Sequence, residues 1–152
     1  MVHPLPLSTP ELEELCKLHK TPLQIYDESS IRANAKYLFS SFTFHFPNFS
    51  QFFAVKALPN PAICQILIEE GCGLDCSSVG ELYVAKKLGL PPHKILYTSN
   101  YTSKADLAQA MEMGVILNLD DVSLVDDLIQ VCGKCPELIC FRLNPVSFYN
   151  IV

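Results

Sequence analysis

Five apolar runs, the first four each followed by a helical pattern, recur roughly every twenty residues from position 50 onward, and this rhythm limits the chain to very few folds. The runs are residues 51–56, 72–76, 94–98, 115–119 and 138–143. They are continuous stretches such as Val115-Ile116-Leu117-Asn118-Leu119, not in-and-out alternations, so they predict parallel strands buried on both faces. The segments between them carry helix punctuation. Asn60-Pro61 opens a helix with Ile63, Ile66 and Leu67 on one face, and Gly71 stops it. Ser78-Val79-Gly80-Glu81 is a capping-box pattern whose helix ends at Gly89. Ser103 caps a helix that runs to Met113-Gly114, and Asp121 caps another that runs through Val131 before Gly133.

Ahead of this rhythm lies a lead-in. Ser8 or Thr9 can cap a first helix, Pro10 suits its first turn, and Leu12, Leu15 and Leu18 give it a loose apolar face. Residues 23–26 read as a short strand, and Asp27-Glu28-Ser29-Ser30 caps a helix running through Ile31 to about Ser40. The whole is α/β, either an open doubly wound sheet or a (β/α)₈ barrel. Two features favour the barrel. No Gly-x-Gly-x-x-Gly follows a strand, and polar residues gather at strand carboxyl ends, at Lys56, Asp75, Asn118 with Asp120, and Arg142 with Asn144. Only about five of eight strand–helix units are present, so the expectation is a partial barrel.

With 152 residues, 49% of them hydrophobic, the chain can bury a core. A net charge of −5 gives no electrostatic footprint for nucleic acid or anionic lipid. No apolar stretch is long enough to span a membrane, and the start of the chain lacks a basic, apolar leader, so the expected location is the cytoplasm. Seven cysteines, an odd number in mostly apolar settings, fit reduced thiols. Cys132-Gly133-Lys134-Cys135 has no second pair and no histidine at ligand spacing, so no metal site is expected. His3, His19, His45 and His93 are scattered, away from the strand ends.

Lys56 closes an apolar run and is the sharpest chemical signal. Apolar walls would favour the neutral amine that attacks an aldehyde. A lysine reaching from a strand end to water would have the same spacing. Asp75, at the next strand end, could orient that lysine or a cofactor, or it could simply face a helix N-terminus. The capping pattern alone accounts for Glu81, and Arg142 could pair with an anion at the same face or with a strand-end carboxylate.

Together these segments resemble one family. Phe53-Ala54-Val55-Lys56-Ala57 with Asn60-Pro61 is similar to the lysine segment of the fold-type III pyridoxal-phosphate decarboxylases. Residues 69–82, with Gly73-Leu74-Asp75-Cys76-Ser77-Ser78-Val79-Gly80-Glu81, resemble the family's next block. Residues 21–27 and Phe141-Arg142-Leu143-Asn144-Pro145 resemble two further segments, in the family's order. The likeness is closest to diaminopimelate decarboxylase. It implies an alanine-racemase-like N-terminal barrel: a lead-in over 1–30 that normally joins a C-terminal β-domain, a partial cofactor-binding barrel over 31–145, and a tail over 146–152 outside the family pattern. It implies pyridoxal 5'-phosphate held as an imine on Lys56, with Asp75, Glu81 and Arg142 at the cofactor site. The implied substrate is an amino acid, meso-diaminopimelate, decarboxylated to lysine. The family's ring-stacking histidine, glycine-rich phosphate loop, ring-nitrogen acid and late cysteine and tyrosine have no counterparts in these residues, so the chain alone is expected to have little activity. A non-catalytic cofactor-binding or regulatory protein is the alternative. Complete members are homodimers, and the resemblance leaves dimerisation of this shorter chain open.

Overall fold

The computed structural model describes residues 7–143. The expected tail over 146–152 lies outside the described residues. A first helix, α1 (Thr9–His19), starts at Ser8, whose hydroxyl and backbone N–H both donate to Glu11, with Pro10 in the first turn. The second helix, α2 (Glu28–Thr43), is capped by Asp27, which accepts from the Ser29 N–H at 3.0 Å. Residues 23–26 between them join no sheet, contrary to the strand expected there. Ile25 and Tyr26 are each 43% exposed, and no neighbouring strand among the described residues offers this stretch a ladder.

From Phe52 the chain alternates as its apolar runs predict. The order is β1 (Phe52–Ala54), α3 (Pro61–Glu69), β2 (Gly73–Cys76), α4 (Val79–Lys87), β3 (Ile95–Tyr97), α5 (Lys104–Met113), β4 (Ile116–Leu119), α6 (Ser123–Cys132) and β5 (Ile139–Phe141). All four strand pairings are parallel, and the sheet order is β1-β2-β3-β4-β5. An open doubly wound sheet reverses direction at a switch point. This sheet never does, so it is an arc of a barrel, with each helix crossing to the next strand.

One face of the arc is sealed. Leu74, Cys76, Ile95, Tyr97, Leu117 and Leu119 point to it and are at most 3% exposed. They pack with Cys64, Leu82, Ala85, Leu107, Ala110 and Leu128, which come from the helices. The opposite face, with Ala54, Asp75, Leu96, Ile116, Asn118 and Cys140, is only half-buried. The apolar runs predicted burial on both faces. The five described strands cover one, because a barrel interior is filled only when strands face one another across it. The first layer of helix is tied on separately. Arg32 of α2 bonds Glu69 at 2.7 Å and Glu70 at 3.0 Å, fixing α2 to the C-terminal turn of α3.

Gly73 begins β2 at a point where no side chain fits. A Cβ there would lie 2.5 Å from the Lys94 carbonyl oxygen and 2.6 Å from the Phe52 ring. Gly73→Ala must therefore push β1 or the segment entering β3 aside, and should lower unfolding stability by about 1–3 kcal/mol. Urea denaturation of both proteins measures this; equal midpoints would contradict the close approach.

Candidate active site

The site is built from the segments that leave the carboxyl ends of the strands. Val55 is wholly buried, and Val55–Ala57 forms a single 3-10 turn closed by Leu58 N–H donating to the Val55 carbonyl at 3.1 Å. Prolines at 59 and 61 force the chain out of the strand before α3, which Asn60 caps through the Ala62 N–H. Lys56 thus sits on the turn after β1 and not in the strand, and it is exposed. The apolar enclosure suggested by its neighbours is absent, because the buried side chain of the pair is Val55. Among the described residues the Lys56 amine has no hydrogen-bond or ion-pair partner.

Asp75 is placed by register. It pairs with Ala54 of β1 and Leu96 of β3, while Leu74 and Cys76 on either side turn into the sealed core. Asp75 therefore projects from the half-buried face, at the end of the sheet where Lys56 emerges. Its Oδ1 is shut off from solvent and has no hydrogen-bond partner among the described residues. Native structures rarely leave a buried carboxylate oxygen unmatched, and such an atom calls for a partner.

The turn after Asp75 is fixed by Glu81. Its Oε2 accepts from the Ser77 N–H at 2.7 Å, and its own N–H donates to the Ser78 hydroxyl at 3.3 Å. The capping box expected at Ser78 forms with one change: the glutamate reaches back to Ser77. Between these groups in the chain lies Cys76, whose thiol is pushed up to about 12, chiefly by burial and further by the negative charges of Glu81 and Asp75. Cys76 itself points into the sealed core, away from the face that carries Asp75.

On the far side of the arc, Arg142 stands just beyond β5. Its N–H donates to the Leu119 carbonyl at 2.7 Å, which carries the ladder one residue further. Its guanidinium donates through Nη1 to Asn100 Oδ1 at 3.3 Å. Beneath this pair, Asn118 Nδ2 donates to Thr98 Oγ1 at 3.1 Å. Thr98 and Asn100 were not among the residues the sequence singled out. Their signal was the same one that exposed Lys56, a polar residue just past an apolar strand. The structure engages Glu81 with Ser77, in the turn two residues after Asp75, and brings Arg142 together with Asn100. It joins Lys56 to neither group by a hydrogen bond.

A cleft of about 900 Å³ lies between α4 and α5 at the opposite end of the sheet, where Leu90, Pro92 and Ile95 enter β3. No group of three metal-ligating side chains occurs among the described residues, and none of their helices is long and apolar enough to cross a membrane.

Comparison with known proteins meets this geometry. The family described as pyridoxal-dependent decarboxylase, pyridoxal binding domain, matches residues 30–147. Protein TabA of Pseudomonas amygdali pv. tabaci is 40% identical over 136 residues, which are 90% of this chain and 31% of that protein. A diaminopimelate decarboxylase of Methanothermobacter thermautotrophicus is 39% identical over 135 residues, 88% of this chain and 31% of the relative. The crystal structure of diaminopimelate decarboxylase from M. jannaschii in complex with L-lysine superimposes with a TM-score of 0.75 at 30% identity, covering 87% of this chain and 32% of that one. The chain spans about a third of the length of the curated relatives it matches.

The buried Cys76 thiol gives a pH signature. Because the folded protein holds the Cys76 proton above the ordinary thiol range, the stabilisation is complete below about pH 9 and disappears as pH rises toward 12. Urea midpoints should fall across that window, and should fall less steeply in Cys76→Ala. Parallel slopes for the two proteins would contradict the burial of the Cys76 thiol.

Proposed function

From the premise that this chain belongs to the pyridoxal-dependent decarboxylases, matching their pyridoxal-binding domain, we propose that it carries the cofactor-anchoring part of an amino-acid decarboxylase that converts meso-diaminopimelate to lysine. The observation that carries the proposal is the solvent-excluded, unmatched Oδ1 of Asp75, at the sheet end where a free primary amine emerges one strand away. These groups fit pyridoxal phosphate, which presents an aldehyde, a protonatable ring nitrogen and an anionic phosphate. When bound, the cofactor supplies an electron-accepting ring that takes up the electron pair left as carbon dioxide departs.

The chain's own residues divide the remaining work. Lys56 supplies the amine that anchors the aldehyde carbon, and its exposed position lets substrate reach the same point. Asp75 offers an acceptor oxygen to a proton-bearing nitrogen, either that of Lys56 or one of the ligand. Glu81 holds the Ser77–Ser78 turn, and with it the direction of Asp75, through the Ser77 N–H. Arg142 faces the mouth with a guanidinium in no ion pair among the described residues, suited to an anionic group of cofactor or substrate. The choice of substrate is supported by two of the three relatives, which are named diaminopimelate decarboxylases, one of them in complex with L-lysine. The cytoplasmic setting belongs to the same proposal; the homodimer is a feature of complete family members and is not proposed for this chain.

Titration of the 152-residue chain with pyridoxal phosphate, followed by absorbance, tests this reading. Wild type should bind, Lys56→Ala should bind at least about 10-fold more weakly, and Asp75→Ala should also lose about 10-fold. With meso-diaminopimelate added, the chain by itself should release no carbon dioxide at an enzyme-like rate. Affinity unchanged in Lys56→Ala would refute the anchor. Rapid turnover by the chain alone would refute the division of labour between this segment and the rest of the relatives' length.

A further inference from the structure

We propose that Asn100 is a positioning residue that holds the Arg142 guanidinium across the mouth of the barrel while leaving its charge available; this rests on the reading of Arg142 as a cofactor-site residue.

An arginine on a surface ladder end is normally mobile, and its five donors find water. Here both ends of the contact are anchored. The Arg142 backbone is tied to Leu119 at 2.7 Å. Asn100 belongs to a tight turn after β3. Ser99 is 8% exposed, its hydroxyl donates to the Asn100 carbonyl at 3.2 Å, and its own carbonyl accepts from the Thr102 hydroxyl at 3.3 Å. Tyr101, fully exposed, adopts φ 59°, a left-handed conformation that tyrosine seldom takes, which sets the tightness of the turn. The Asn100–Arg142 contact then spans from β3 to β5 over the end of β4, one level above the Thr98–Asn118 bond.

The chemistry of the partner matters as much as its place. A carboxylate at position 100 would hold the guanidinium and also cancel its charge. An amide oxygen accepts the hydrogen bond and leaves a full positive charge for an incoming anion. The nearby acids are Asp120 and Asp121 at the end of β4. Neither pairs with Arg142 among the described residues, and Asp121 is engaged as an acceptor for the Ser123 N–H at 2.8 Å.

The test uses the 152-residue chain, pyridoxal phosphate and four variants. Asn100→Ala should weaken binding about 3- to 10-fold. Asn100→Asp should weaken it as well, with the loss disappearing for pyridoxal, which lacks the phosphate, if the phosphate is the anion met by Arg142. Arg142→Ala should weaken binding, and adding Asn100→Ala to it should change nothing more, since the two act as one unit. A second measurement needs no ligand. In wild type the Arg142 guanidinium should give a distinct, slowly exchanging NMR signal that collapses in Asn100→Ala and returns in Asn100→Asp. An unchanged Arg142 signal in Asn100→Ala, or additive losses in the double variant, overturns the proposal. If Arg142→Ala binds like wild type, the reading of Arg142 fails and the proposal goes with it. If the wild-type chain binds nothing, the functional reading has failed, and the NMR comparison then decides whether the contact exists.

Discussion

The parallel pairing of β1 with β2 sets everything else in place. Its register aligns Ala54 with Asp75, and it can form only because Gly73 lets the Phe52 ring and the Lys94 carbonyl close over the start of β2. With that register, Leu74 and Cys76 must enter the helix-facing core and Asp75 must face the other way. A slip of one residue would bury the carboxylate among Leu82, Leu107 and Leu117 and expose two core positions. The hydrophobic layer and the chemical layer are therefore opposite sides of one pleat, and the sealed face is what makes the polar one dependable.

Much of this was legible in the sequence, for a physical reason. Continuous apolar runs separated by capped helices have few solutions, so the five strands, their order and the helix starts at Asn60, Ser78 and Ser103 follow from local chemistry. Lys56 and Asp75 stood out as charges at the ends of apolar runs, and the family resemblance, more than their spacing, turned them into candidate site residues. What could not be read locally depended on neighbours. Residues 23–26 have the composition of a strand, but a strand needs a ladder, and none of the described strands offers one. Lys56 looked enclosed because Val55 precedes it, yet the turn sends Val55 inward and the lysine out. The Asn100–Arg142 contact joins residues 42 apart in sequence, and no spacing rule connects them.

The polar face has a consistent logic once its parts are taken together. Each group stands at or just after the end of a strand, so its backbone is fixed by the ladder while its side chain remains free to meet a ligand. Glu81 is the exception, sitting in the first turn of α4, and its carboxylate is engaged by the Ser77 N–H. Lys56, Asp75 and Arg142 keep unsatisfied capacity, respectively an amine, an acceptor oxygen and a charged fork. An amine, an acceptor and a cation are the complement of an aldehyde, a protonated nitrogen and a phosphate, which is why the family's cofactor suits this arc of barrel.

The central claim is that Lys56, alone among the lysines, is placed to anchor that cofactor. The most direct measurement is to incubate the chain with pyridoxal phosphate, reduce with borohydride, digest, and locate the added mass by peptide sequencing in a mass spectrometer. The account predicts modification concentrated at Lys56 at substoichiometric cofactor. Label spread evenly over Lys36, Lys86, Lys104 and Lys56, or centred on another lysine, would contradict it.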